Sequence, residues 1–164
     1  MPPSLLRAGD VIERCWQAAL IAMLGAVVIV GGLQVFNRFV LNISLSWSEE
    51  FQRYGQAWLV FLGIPVAYTK AMHIGTDFFV AKLPASAGRI LGRAIDAVWV
   101  MLGIVFIVSG YRIMTIGMTQ YSPGLGVSMG LVYSIIVVSG VYITLLAAVR
   151  LWTGQRSGVV AGDI

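Results

Sequence analysis

Four stretches of this 164-residue chain contain no Asp, Glu, Lys or Arg: Cys15–Asn37, Tyr54–Thr69, Ala97–Tyr111 and Ile113–Val149. They hold more than half of the residues. A soluble fold of this size cannot keep so much apolar surface from water. A soluble domain also carries about 25% charged residues, whereas this chain carries 11% and has a mean hydropathy of +0.88. The chain therefore reads as an integral membrane protein. Soluble enzymes, secreted disulfide scaffolds and disordered chains are excluded.

A spanning helix needs about 20 mainly apolar residues. The expected fold class is an all-α membrane protein, a single four-helix transmembrane domain over 1–164 with short loops. The helices are expected at about 11–40, 47–70, 86–118 and 125–152, followed by a flexible tail over 153–164. The first apolar run is long, and no small-residue cleavage site follows Gly31-Gly32-Leu33-Gln34, so it is expected to be a retained helix rather than a signal peptide. Ser46-Trp47-Ser48-Glu49 reads as a capping box opening the second helix. Pro65 lies inside that helix as a potential kink. Thr76 is expected to cap a short interfacial helix over 77–83, which Pro84 stops. Tyr121-Ser122-Pro123-Gly124 reads as the turn between the third and fourth helices.

Small residues mark seams where helices can approach closely. Ala18, Ala22 and Ala26 recur every four residues, as do Gly126, Gly130 and Ser134. Gly103, Gly110 and Gly117 recur every seven. On the second helix Glu49, Arg53, Gln56, Val60, Gly63, Ala67 and Lys70 share one face, which suits protein contact better than lipid.

The basic residues set orientation. Arg7, Arg14, Lys70, Lys82, Arg89, Arg93, Arg150 and Arg156 fall on one side, and only Arg38, Arg53 and Arg112 on the other. Both termini are thus expected in the cytoplasm. The net charge of +4 then reports topology and contact with lipid headgroups rather than nucleic acid.

Little in the chain can perform chemistry. Cys15 and His73 are each the only residue of their type, so a disulfide within the chain and a bis-histidine haem are excluded and a metal cage is not expected. No phosphate loop or nucleophile pair is present. Arg38, Glu49, Glu50 and Arg53 form the main charged cluster on the sparsely basic side. Arg53 stands about one turn inside the helix and needs a satisfied environment, which favours contact with another subunit. His73 and Asp77, four residues apart, fit a hydrogen bond in a loop or to a partner. Asp96 is expected to pair with Arg93, and Glu13 to sit in a solvated helix start. A stand-alone ion-coupled exporter would need Glu13 or Asp96 as an embedded carboxylate. An anchor of a redox complex would be purely structural.

The order Asn37-Arg38-Phe39, Trp47-Ser48-Glu49-Glu50, Gly63, His73-Ile74, Asp77 and Leu83-Pro84 resembles the small membrane subunit of tripartite ATP-independent periplasmic (TRAP) transporters, the DctQ-like family. Met129-Gly130-Leu131-Val132-Tyr133 resembles the start of that family's fourth helix. Val137 departs from the pattern, which often has Pro there. The resemblance implies a four-helix protein of the bacterial cytoplasmic membrane that is not an enzyme. It implies a large multi-helix membrane subunit and a periplasmic substrate-binding protein as partners. Uptake of an organic acid, such as a dicarboxylate or a sialic acid, would be driven by an ion gradient. This chain would hold no cofactor, and sodium would be bound by the large subunit. The residues that then become candidates for the partner interface are Asn37, Arg38, Trp47, Glu49, Glu50, Arg53, Gly63, His73 and Asp77.

Overall fold

Three of the charge-free stretches fall wholly on helices, and the fourth, Ile113–Val149, takes in a loop between two of them. The computed structural model describes residues 3–43, 45–70 and 85–153, as helices α1 (Pro3–Phe39), α2 (Ser46–Lys70), α3 (Ala85–Gly117) and α4 (Met129–Thr153). The interfacial helix expected over 77–83 lies outside the described residues. α1 starts earlier than expected because Pro3 can occupy a first helical turn and nothing before Val11 breaks the pattern. It ends where Asn42 adopts φ 54° and the Asn37 carbonyl accepts the amides of Leu41 (3.2 Å) and Ile43 (3.1 Å).

α4 starts four residues later than expected. Residues 118–128 fold back on themselves instead, with an isolated antiparallel bridge between Tyr121 and Ser128. Gly126 takes φ +66°, a conformation that glycine adopts without steric cost. The Ser128 hydroxyl accepts the Gly130 amide at 3.3 Å and so caps α4.

Among the described residues three helical segments are long and apolar enough to cross a membrane: Val11–Phe39, Ile90–Gly117 and Met129–Trp152. These make the chain an integral membrane protein. α2 has 25 residues, about 37 Å at 1.5 Å rise, but its first half is polar and it does not meet the same hydropathy standard.

The helices pack as a row, α1 on α2, α2 on α4, and α4 along α3. The tightest seam is α3 on α4. A Cβ at Gly103 would lie 2.9 Å from Ile143 and 3.0 Å from the Gly140 carbonyl oxygen. One at Gly110 would lie 2.9 Å from Ile136, and one at Gly117 2.9 Å from the Gly130 nitrogen. The heptad of glycines is thus a true contact line. The other small-residue stripes are not. Ala18 and Ala22 stay exposed, and α1 approaches α2 at Gly55, which sits against Val27 and Met23. Of Gly126, Gly130 and Ser134 only Gly130 joins the seam, because Gly126 belongs to the loop and Ser134 bonds the carbonyl of Leu131 on its own helix.

The protein core is small. Tyr68, Ile143 and Ala147 are fully buried, with Ile64, Trp99, Val100 and Leu146 packed around them. Large side chains such as Ile21, Val28, Ile104 and Val108 remain exposed. In lipid that exposure costs nothing, since acyl chains are as apolar as leucine.

Candidate functional site

α2 stands in the middle of the row and carries most of the residues that the sequence singles out. Its own backbone holds a defect. Pro65 has no amide hydrogen, so it offers no donor to the carbonyl four residues earlier, that of Phe61. Ser139 of α4 supplies one, its hydroxyl donating to the Phe61 oxygen at 2.6 Å. The next carbonyl, Leu62, accepts the indole N–H of Trp16 from α1 at 2.8 Å. Side chains of both flanking helices thus bond α2 at its break, as membrane helices require where the ladder is interrupted. Trp16 is half-buried, and its ring centroid lies 4.4 Å from that of Tyr142. A turn nearer the start of α2, the indole N–H of Trp58 donates to the Val132 carbonyl at 3.0 Å.

The charged cluster at the start of α2 is divided by the fold. Glu50 turns inward. One of its carboxylate oxygens accepts from the Ser122 hydroxyl and from the backbone amides of Gly124 and Leu125, both at 3.0 Å. A Cβ on Gly124 would lie 3.0 Å from that carboxylate, so glycine is what lets the loop close over Glu50. Ser122 is buried. Glu50 therefore fastens the α3–α4 loop to the start of α2.

Glu49 points elsewhere. It accepts a long hydrogen bond, 3.4 Å, from the Gln34 side chain of α1, and Gln34 in turn accepts from Gln52. The expected capping box does not form, because Gln34 takes up the Glu49 carboxylate. Ser48 rather than Ser46 is buried, and its hydroxyl donates to the Leu45 carbonyl at 2.7 Å.

The remaining candidates separate further. Asn37 donates to the Leu33 carbonyl of its own helix at 2.9 Å. Arg38 and Arg53 are exposed, and neither makes a hydrogen bond or ion pair among the described residues. Trp47 is 37% exposed. A Cβ at Gly63 would meet nothing within 4 Å, so a notch lies open there. His73 and Asp77 lie outside the described residues. Among the described residues no group of three or more His, Cys, Asp or Glu side chains is placed to hold a metal ion.

The carboxylates Asp96 and Glu13 also have partners of their own. Asp96 accepts the Tyr68 hydroxyl at 2.6 Å rather than pairing with Arg93. Beside it, Arg150 of α4 lies over the Tyr68 ring at 4.3 Å and donates to the Tyr68 carbonyl at 3.4 Å. This ties the far end of α2 to α3 and α4. Glu13 accepts from Gln17 one turn along α1 at 2.8 Å. A groove of about 220 Å³ opens between α1, α2 and the α3–α4 loop, lined by Met23, Phe51, Tyr54, Trp58 and Leu131 among others. Its lining is apolar and offers no charged group to a substrate.

Sequence reasoning missed Gln34, Gln52, Ser122, Ser139, Trp16 and Trp58 as contact makers. For all but Gln52, which lies between Glu50 and Arg53, the available signal was polar side chains inside charge-free runs, which need a donor or acceptor wherever lipid offers none.

The chain has been compared with known proteins. The profile of the DctQ component of tripartite ATP-independent periplasmic transporters matches residues 27–157. A protein of Haemophilus influenzae, provisionally named a TRAP transporter small permease protein, is 26% identical over 140 residues, covering 85% of this chain and 87% of that protein. A second protein of the same organism and name is 28% identical over 120 residues, covering 71% and 72%. The sialic acid TRAP transporter small permease protein SiaQ of Vibrio cholerae is 29% identical over 103 residues, covering 62% of this chain and 59% of SiaQ.

Proposed function

The chain belongs to the DctQ family of TRAP transporter components, and from that membership we propose that it is the scaffold-type small membrane subunit of such a transporter. It binds a large multi-helix membrane subunit and helps a periplasmic binding protein to dock. The complex takes up an organic acid of the dicarboxylate or sialic acid class, driven by an ion gradient, usually of sodium. The chain lies in the bacterial cytoplasmic membrane with four crossing helices and both termini in the cytoplasm. It catalyses no reaction.

The observation that carries this reading is the family match across residues 27–157. Support comes from the site. The carboxylates Asp96 and Glu13 accept hydrogen bonds from neighbouring side chains, and the groove beside α2 is apolar. Such a chain is built to pack rather than to carry a solute, since transporter sites near the midplane use polar groups and broken backbone. The break at Pro65 is filled by Ser139 and Trp16 and is not open to a ligand.

The test is co-expression with the large subunit and the binding protein of a TRAP transporter from the same organism. Tagged chain should retain the large subunit through detergent purification. Vesicles should take up labelled acid under a sodium gradient only when all three proteins are present. Gradient-driven uptake by the chain alone, or no retention of the large subunit, would overturn the proposal.

A further inference from the structure

α2 is the odd helix of the row. It is flanked by α1 and α4, yet it is the one helix without the hydropathy of a span. The cause is the stripe Glu49, Arg53, Gln56, Val60, Gly63 and Ala67; Glu49 at its head is bonded to Gln34 of α1, and the fold leaves the rest of the stripe uncovered. Arg53, Gln56 and Ala67 are exposed, Val60 is 60% exposed, and the notch at Gly63 is open. Neither Arg53 nor Gln56 makes a side-chain hydrogen bond or ion pair among the described residues, although the Arg53 charge acts on the nearby Glu50 carboxylate.

Arg53 is seven residues beyond the start of α2 at Ser46, about 10 Å of rise, and Gln56 lies about 5 Å further in. Hydrocarbon offers neither of them an acceptor. An arginine can extend its long stem toward headgroup phosphates. Glutamine is too short to do so from the deeper position, and lipid gains nothing from a notch. A polar pair above a notch on one helix face is the pattern of helix–helix contact in membranes.

We infer that a single transmembrane helix of a partner chain lies along this stripe. It brings a carboxylate or free carbonyl oxygen level with Arg53 and Gln56, and a bulky apolar side chain into the notch at Gly63. The inference rests on the reading of this chain as the small subunit of a complex. Charge selects the partner chain over a second copy. Two copies in the same orientation meet about a two-fold axis with equal depths opposed, so Arg53 would face Arg53 where the dielectric constant is low. Glu50 attracts Arg53 through its charge but does not replace a bonded acceptor, because its hydrogen bonds go to the α3–α4 loop.

The experiment places a photoreactive amino acid at Val60 or at Ala67, and as a control at Val108 on α3, which is 55% exposed. The full chain is co-expressed with the large subunit, illuminated in membranes, and its adducts are sized. Adducts with the large subunit from positions 60 and 67 but not 108 are expected. Arg53→Gln should lower their yield about tenfold, the loss of one hydrogen bond to a charged group. Arg53→Lys should restore much of it, and Gly63→Leu should abolish it. Arg53, Val60, Ala67 and Val108 are exposed and a Cβ at the half-buried Gly63 meets nothing within 4 Å, and helical circular dichroism verifies that the fold survives.

If the unmodified chain retains the large subunit but adducts arise only from position 108, the inference fails and the small-subunit reading stands. The same holds if positions 60 and 67 yield adducts with lipid alone, or adducts of twice the chain's mass. Unchanged yield in both Arg53→Gln and Gly63→Leu also overturns it. Failure of the unmodified chain to retain the large subunit overturns both.

Discussion

The bond from Ser139 to the proline break in α2 makes a quantitative prediction. Ser139 is fully buried, and its hydroxyl donates to the Phe61 carbonyl at 2.6 Å, the oxygen that Pro65 deprives of its intrahelical donor. Ser139→Ala leaves that buried oxygen without a partner, which costs about 1–3 kcal/mol. In a Pro65→Ala background residue 65 has an amide hydrogen and the Phe61 oxygen regains its donor. Ser139→Ala then removes only a supplementary bond. Side-chain hydrogen bonds between membrane helices average about 0.6 kcal/mol in such cycles. The coupling between the two positions should therefore be about 1–2 kcal/mol. Its sign is favourable to the pair Pro65 with Ser139, whatever Pro65→Ala does alone. The assay is a double-mutant cycle of four proteins unfolded from mild detergent micelles by a denaturing detergent and followed by tryptophan fluorescence. An equal cost of Ser139→Ala in both backgrounds would refute the reasoning, since the serine would then serve something other than the proline's freed carbonyl.

Three further substitutions probe other contacts. Gly103→Ala should be less stable than Gly92→Ala by about 1–3 kcal/mol, the cost of overpacking. Both gain the same helix propensity, but a Cβ at Gly92 meets nothing within 4 Å while one at Gly103 lies 3.0 Å from the Gly140 carbonyl oxygen; thermal unfolding in detergent reads the difference, and equal stability would dismiss the seam. Glu50→Gln should speed hydrogen exchange at the amides of Gly124 and Leu125 on the order of tenfold, with the middle of α3 unchanged, because the loop loses its charged acceptor. Exchange mass spectrometry on peptides spanning 121–128 would detect it. Tyr68→Phe should destabilise by about 1–3 kcal/mol by taking the hydroxyl from the Asp96 carboxylate. Asp96→Asn should cost less, because an amide oxygen still accepts. A chemical unfolding series that ranks the two the other way would count against that bond.

Several features were legible from residue order alone, and they share a character. Membrane insertion follows from charge-free runs, which are a property of neighbours in sequence. The seam of Gly103, Gly110 and Gly117 follows from a seven-residue period, which a helix converts into a stripe. The face of α2 from Glu49 to Ala67 follows from the same geometry. Where period alone was used without a partner in view, the outcome was mixed. Ala18 and Ala22 have the right spacing but face outward, because the α1–α2 contact is made at Gly55. Gly126 has the right spacing but sits in a loop with φ +66°, and it delays the start of α4.

The sequence by itself determined that this chain lives in a membrane, that it is helical, and that its family is that of the small TRAP subunits. Hydropathy and helical period are local quantities, and a family motif is read along one strand of text. Only the tertiary structure decided which of two adjacent glutamates faces the protein. Glu49 and Glu50 are equivalent by composition, but they point about 100° apart around the helix, and only Glu50 meets the loop that returns 72–75 residues later. It also decided that the proline break is filled rather than open, through a serine 78 residues away. Such pairings depend on which helices become neighbours, and packing free energy chooses that over the whole chain. With Glu50 and the break thus occupied, Arg53, Gln56 and the notch at Gly63 are left on the outer face of α2.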